Sequence, residues 1–175
     1  MKKIDISDFE PIEDDIPRDE SVKEVMAAAS NILVFADNTE KNLRDKLSRK
    51  GFDGEVIDTA VERLKAAGLV NDARLMRSVS EYLADKKLYG RGRIKLELQK
   101  KGFDRELIGE SFNDCVADVD FKENCLKLVK KKRLADRIKD SNTAKAVTAA
   151  LARYGYGYAE IKYAYTRLLE EDEED

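Results

Sequence analysis

Residues 88–108 read Leu-Tyr-Gly-Arg-Gly-Arg-Ile-Lys-Leu-Glu-Leu-Gln-Lys-Lys-Gly-Phe-Asp-Arg-Glu-Leu-Ile, and this stretch decides the fold. Ile94 and Leu98 lie one helical turn apart, Gly102 follows the last apolar position, and Asp104 stands two residues later. Glycine is favoured just after a helix because it adopts the left-handed conformation without a Cβ clash. Aspartate is favoured just before one because its carboxylate accepts an unpaired backbone N–H. The stretch therefore predicts a helix, a glycine stop and a second helix.

The same arrangement occurs three times along the chain. The aligned glycines are Gly51, Gly102 and Gly155, with spacings of 51 and 53 residues. Apolar residues recur on both sides of each glycine at intervals that match one helical face. A period near fifty residues is typical of arrays whose units bury their apolar faces against neighbours. We therefore predict an all-α fold of three tandem three-helix repeats that form an elongated, curved array, with the glycines at core and cap positions.

The charge and the capping signals divide the chain into five segments. Ser21 and Glu24 form a capping-box pattern, which predicts that the first helix starts at Ser21. The predicted segments are a flexible acidic arm (residues 1–20), repeat 1 (21–70), repeat 2 (71–117), repeat 3 (118–169) and an acidic tail (170–175).

The net charge of −3 conceals a basic central region between two acidic ends. Residues 1–20 contain three basic and eight acidic side chains, and residues 170–175 are all acidic. Residues 21–169 therefore contain 30 basic and 22 acidic side chains. A positive surface attracts polyanions in a salt-dependent way. The acidic ends either shield this surface or only keep the protein soluble.

Three stretches of the central region, taken together, resemble a known family. They are Gly68-Leu69-Val70-Asn71-Asp72, then Gly90-Arg91-Gly92-Arg93-Ile94, and then Glu97-Leu98 with Lys101-Gly102-Phe103. In this order and spacing they resemble the central repeat of the RecX family, and the resemblance extends from about Ser21 to Leu169. The resemblance implies an arc of tandem three-helix repeats and a regulatory role through the bacterial recombinase RecA.

The composition argues against catalysis. The chain contains no histidine, which excludes histidine-activated nucleophiles, histidine proton shuttles and histidine metal ligands. Cys115 and Cys125 fit no zinc pattern and fall on apolar helix faces, so free core thiols in a reducing compartment are favoured over a disulfide. No apolar run is long enough to span a membrane. We expect a cytoplasmic, monomeric protein that is not an enzyme and has no cofactor, metal or membrane partner.

Two basic clusters are candidate binding residues. The first comprises Arg91, Arg93, Lys95, Lys100 and Lys101; the second contains Lys130, Lys131, Lys132, Arg133 and Arg137. Arg91 and Arg93 start a helix, where the macrodipole disfavours cations, so a partner carboxylate or phosphate would relieve that cost. The alternative for Arg93 is a salt bridge within the chain. The alternative for the second cluster is a solvated helix face with no binding role. Tyr154, Tyr156 and Tyr158 form either a contact or stacking surface or part of the core and turn packing.

Two functions of different classes follow. In the first, which the resemblance implies, the protein binds the RecA–DNA filament and inhibits its ATPase, strand-exchange and co-protease activities, with DNA contacted indirectly or weakly. In the second, the chain is a stand-alone helical DNA- or RNA-binding protein that uses the basic face of its repeats. A protein-interaction array unrelated to DNA is a third, weaker alternative. Strong salt-dependent DNA affinity without the recombinase would favour the second function.

Overall fold

The computed structural model describes residues 19–139 and 141–173, and these residues form ten helices and no strand. The helices are α1 (Asp19–Phe35), α2 (Glu40–Arg49), α3 (Gly54–Ala66), α4 (Asp72–Asp85), α5 (Arg91–Lys100), α6 (Arg105–Cys115), α7 (Phe121–Lys131), α8 (Ala135–Lys139), α9 (Ser141–Arg153) and α10 (Tyr158–Glu173). The predicted all-α class is confirmed.

The turn between the last two helices of each unit is built as the sequence predicts. Gly51, Gly102 and Gly155 have φ angles of 87°, 89° and 90°, in the left-handed region that favours glycine. The Asp104 carboxylate accepts from the backbone N–H of Glu106 at 2.7 Å, and Asp53 caps α3 in the same way.

The third turn has no aspartate and uses a different cap. Gly157 stands where the first two repeats have aspartate, and its backbone N–H donates to a carboxylate oxygen of Glu160 at 2.9 Å. Glu160 lies three residues further along, in the first turn of α10. A glutamate at this position can therefore replace the missing cap.

The helices follow one another as tandem units: α1–α3 form unit 1, α4–α6 form unit 2 and α7–α10 form unit 3. In each unit the first helix packs against the last, α1 on α3, α4 on α6 and α7 on α10. Unit 3 differs from the prediction because the short helix α8 is inserted between α7 and α9.

The ends of the chain differ in how far they are described. Helix α1 starts at Asp19, so Ser21 lies inside its first turn and is not its cap. Most of the predicted acidic arm, residues 1–18, lies outside the described residues. Helix α10 continues to Glu173, into the predicted acidic tail, and residues 174–175 lie outside the described residues.

The apolar core is divided into two clusters, which is typical of an array and not of a globule with one centre. Unit 1 has its own cluster, built around Val25, Leu43, Leu47 and Val61. Units 2 and 3 share the other, in which Met76, Ile94, Phe112, Cys125 and Leu151 are buried together. Units 2 and 3 therefore fold around common apolar contacts, whereas unit 1 has an apolar cluster of its own.

Units 2 and 3 meet backbone to backbone at the start of α5. The N–H of Gly90 donates to the carbonyl of Tyr154 at 2.8 Å, and that of Gly92 donates to the carbonyl of Gly155 at 3.1 Å. A Cβ atom on Gly90 would lie 2.3 Å from the Gly155 carbonyl oxygen, so no other residue fits here without movement. In addition, the buried Asn124 side chain of α7 donates to the Ala84 carbonyl of α4 at 3.2 Å.

Units 1 and 2 are joined by reciprocal helix capping. The Asp72 carboxylate of α4 accepts from the backbone N–H of Glu40, the first residue of α2, at 2.9 Å. The Asn42 amide of α2 donates to the carbonyl of Lys101, at the end of α5, at 2.7 Å. Each unit thus satisfies a backbone group that the other leaves unpaired.

Candidate nucleic-acid and partner interface

Arg91 and Arg93, which begin α5, are paired with carboxylates of the same chain. Arg91 lies 3.0 Å from Glu160 of α10, and its guanidinium also stacks over the ring of Phe121, 4.1 Å from the centroid. Arg93 lies 2.8 Å from Glu97, one turn further along α5. These ion pairs offset the unfavourable macrodipole that suggested an external anion. Arg91 thus links unit 2 to unit 3, and the binding of a partner by Arg91 would compete with that contact.

The other cations of the first cluster are distributed along α5. The ammonium of Lys95 lies 4.8 Å from the centroid of the Phe112 ring, and Lys100 is paired with Glu97 at 3.2 Å. Lys101 is exposed at the C-cap of α5, and its carbonyl is the group that Asn42 caps. The first cluster is therefore not one continuous surface. Arg91, Lys100 and Lys101 are exposed, Arg93 and Lys95 are half-buried, and Glu97 and Glu160 partly neutralise the charge of the cluster.

The second cluster occupies the end of α7 and the turn that follows it. Lys130 and Lys131 lie in the last turn of α7, where cations favour the negative end of the helix dipole. Lys132 and Arg133 are exposed in the turn, and Arg137 is exposed on α8. Arg133 has a φ angle of 52°, an unusual conformation for a residue with a side chain. The turn after α7 therefore carries a local conformational cost at Arg133.

The structure brings the two clusters together through a pair of tyrosines. The rings of Tyr89 and Tyr154 meet edge to face, with centroids 5.9 Å apart. The Arg93 guanidinium lies 5.5 Å from the centroid of Tyr89, and the Lys132 ammonium lies 5.1 Å from that of Tyr154. We call these four residues the tyrosine junction. It brings cations that are 39 positions apart in the sequence to one pair of touching rings.

The sequence reasoning selected Arg93, Lys132 and Tyr154 but missed Tyr89. A signal existed, because Tyr89-Gly90 and Tyr154-Gly155 are both Tyr-Gly pairs, and the two glycines are the residues that meet. The three tyrosines of unit 3 that the sequence grouped together have different environments. Tyr154 is half-buried in the junction, Tyr156 is buried, and Tyr158 is 80% exposed.

The buried Tyr156 stabilises the backbone next to the junction. Its hydroxyl donates to the carbonyl of Leu88 at 2.8 Å, and burial raises the pKa of this phenol well above its ordinary value. Leu88 itself has a φ angle of 52°, so this hydrogen bond helps to hold a strained turn. The backbone next to the tyrosine junction is thus held by a hydrogen bond that joins the two units.

A resident metal has no site in the part of the chain that the structure describes, where no group of three cysteine, aspartate or glutamate side chains converges. None of the described helices is long and apolar enough to cross a membrane. The candidate site is the tyrosine junction with the two basic clusters around it, whose charge suits anions on a partner.

Comparison with known proteins places the chain in a family. The RecX first three-helix domain matches residues 26–64, and the RecX second three-helix domain matches residues 71–111. The regulatory protein RecX of Clostridioides difficile (strain 630) is 33% identical over 176 residues, which cover 99% of this chain and 79% of that protein. The regulatory protein RecX of Amycolatopsis mediterranei (strain U-32) is 28% identical over 159 residues, covering 90% of this chain and 88% of that protein.

A solved structure agrees with these sequence matches. The crystal structure of RecX from Lactobacillus salivarius superposes with a TM-score of 0.75 at 25% identity, and covers 85% of this chain and 97% of that one. The matched domains are three-helix units in the same tandem order as units 1 and 2. The chain therefore belongs to the RecX family of regulatory proteins.

Proposed function

We propose that this chain is a cytoplasmic, monomeric regulator that binds the RecA–DNA filament and inhibits its ATPase, strand-exchange and co-protease activities. Membership of the RecX family makes the chain a regulatory protein and not an enzyme. One observation supports binding to the filament: the tyrosine junction brings cations from two units to one pair of touching rings. Cations gathered from two units suit a long polyanionic partner such as a nucleoprotein filament.

The cations differ in how readily they can bind a partner. Arg91 is held by Glu160 and Phe121, so an external anion would have to replace contacts that already exist. Lys132 and Arg133 are exposed on the turn after α7, where residues 127–139 contain a single acid, Asp136. We therefore assign the larger share of partner binding to this turn and a smaller share to the rest of the two clusters.

The test is a titration of the recombinase ATPase on single-stranded DNA with the full chain and two double variants. Lys132→Gln/Arg133→Gln should require about tenfold more protein for half-inhibition, because losing roughly 1.4 kcal/mol of charge contacts is a factor of ten. Arg49→Gln/Lys50→Gln removes the same charge from exposed positions at the end of α2, in unit 1, and serves as the control. Equal inhibition by both variants would remove the turn from the mechanism, and no inhibition by the parent would refute the function.

A stand-alone nucleic-acid-binding function is the second candidate, and the exposed cations of the same turn favour it. In that case the chain should bind DNA tightly at low salt with no recombinase present, and the affinity should fall steeply as salt rises. Weak binding to DNA alone together with strong inhibition of the filament would favour the regulatory function.

A further inference from the structure

We propose that the tyrosine junction binds consecutive phosphates of a single-stranded nucleic acid, with Arg93 and Lys132 as the two phosphate ligands. This inference deepens the proposed function and rests on it for the source of the strand, which would be the DNA inside the filament. Within the filament, the junction would contact the nucleic acid and not the recombinase.

Arg93 and Lys132 stand over the two rings of the junction. Each lies more than 5 Å from the centroid of its own tyrosine, and the two centroids are 5.9 Å apart. The two cations come from different units and meet at one pair of rings. A polymer with a charge on every unit can pair with both cations at once, whereas one carboxylate side chain pairs with only one of them.

Two aromatic side chains accompany the cations. Tyr89 and Tyr154 are both half-buried. Aromatic side chains interleaved with cations are the usual composition of single-strand binding surfaces, since bases stack on the rings while cations follow the backbone. A partner made only of acidic side chains would have no use for the rings.

Arg93 keeps hydrogen-bond donors for a further anion. A guanidinium has five N–H donors; the ion pair with Glu97 uses Nη2 of Arg93, and Nε is buried, so the donors left for an external anion are those of the two terminal nitrogens. The ion pair with Glu97 is local to α5 and the Arg93 side chain is 36% exposed, so a phosphate that binds there would share the guanidinium with this carboxylate. Arg93 is thus the member of the first cluster best suited to accept an external anion.

Hydrogen bonds between the two units hold the junction rigid. The backbone hydrogen bonds of Gly90 and Gly92 to unit 3, together with the Tyr156 hydroxyl on Leu88, fix the two rings relative to each other. A preorganised surface loses less conformational entropy when it binds. The junction therefore exists before the strand arrives and does not need to be assembled by it.

The test measures binding of a fluorescent thymidine oligonucleotide to the full chain over a range of salt concentrations, with no recombinase present. Each phosphate contact on a single strand contributes about −0.7 to the slope of log affinity against log salt, so Arg93→Gln/Lys132→Gln should make the slope shallower by about 1.4. The control Arg49→Gln/Lys50→Gln changes the net charge equally and should keep the parent slope. An unchanged slope in the junction variant would overturn the proposal.

Variants of Tyr154 distinguish a loss of base stacking from a loss of folding. Tyr154→Phe keeps the ring and should bind the oligonucleotide as the parent does, whereas Tyr154→Leu should bind at least several-fold more weakly. Thermal unfolding of each variant identifies any loss of oligonucleotide binding that comes from unfolding. If Tyr154→Leu fails to fold, the surface variant Lys132→Gln still tests binding at the junction. Equal binding by the leucine and phenylalanine variants, with both folded, would overturn the role of the rings.

Competition identifies the class of partner. A poly-glutamate peptide of the same charge should displace the oligonucleotide poorly; equally good displacement would show that the junction accepts protein carboxylates and would overturn the proposal. The outcome is independent of the recombinase assay. If the chain fails to inhibit the recombinase but binds the oligonucleotide through the junction, the proposed function fails and the phosphate site stands.

Discussion

An alanine at Gly90 tests whether units 2 and 3 depend on close backbone contact. Its φ angle is −77°, which any residue can adopt, so the substitution introduces no backbone strain of its own. The new methyl group would lie 2.3 Å from the carbonyl oxygen of Gly155 and 2.6 Å from the amide nitrogen of Tyr156. These are backbone atoms and cannot rotate away, so one unit must move.

The expected loss follows from the contacts at this point. Forcing an extra methyl group into a packed site typically costs about 1–3 kcal/mol. Separation of the units would also weaken two hydrogen bonds, from Gly90 to Tyr154 and from Gly92 to Gly155, each worth about 0.5–1.5 kcal/mol. We therefore expect Gly90→Ala to lower the free energy of unfolding of units 2 and 3 by about 2–5 kcal/mol, a large part of the stability of a small protein.

Gly92→Ala is the matched control, two residues away in the same segment. There the nearest atom to an added Cβ is 3.5 Å away, an ordinary contact, and the residue lies within α5, where alanine is favoured over glycine by up to about 1 kcal/mol. Urea unfolding followed by far-ultraviolet circular dichroism should show Gly92→Ala at or above the parent stability. A Gly90→Ala protein within about 0.5 kcal/mol of the parent would refute the reasoning.

Three further predictions concern polar groups that are buried or half-buried. Ser80 is fully buried and its hydroxyl has no hydrogen-bond partner among the described residues, so Ser80→Ala should leave the stability unchanged or raise it by about 1 kcal/mol in the same urea assay. Burial is the main cause that raises the pKa of the Asp72 carboxyl in the folded protein above its ordinary value of 3.8. The protonated carboxyl therefore contributes to stability below pH 3.8, and this contribution is lost as the pH rises through the folded pKa. Unfolding measured from about pH 3 to about pH 7 should show that this loss is absent in Asp72→Asn, whose side-chain oxygen can still accept from the N–H of Glu40. Burial raises the pKa of Cys125 to about 12, so in a Cys115→Ser background this thiol should react with an aromatic disulfide only after unfolding; reaction of the native protein at the rate of a free thiol would contradict its burial.

Much of the local structure follows from residues close together in the sequence. The left-handed turns at Gly51, Gly102 and Gly155 and the caps at Asp53 and Asp104 each depend on contacts within a few positions, so the sequence predicted them correctly. Helix α8 was missed because it is only five residues long, too short to show an apolar period of its own.

The surface could not be predicted in the same way, because it depends on contacts between units. The sequence identified Arg91 as a cation at an unfavourable helix start, but only the placement of α10 supplies Glu160, 69 positions away, as its partner. Likewise, the pairing of Tyr89 with Tyr154 depends on the close approach of Gly90 and Gly155.

The sequence by itself determined the all-α class, the repeating unit, its turns and the family, because these are set by residue types at fixed short spacings. Only the tertiary structure decided that units 2 and 3 share a core while unit 1 has its own, and which cations are neutralised within the chain. The physical reason is that ion pairs and ring contacts act over a few ångströms. They form only where packing brings together residues that the sequence holds far apart.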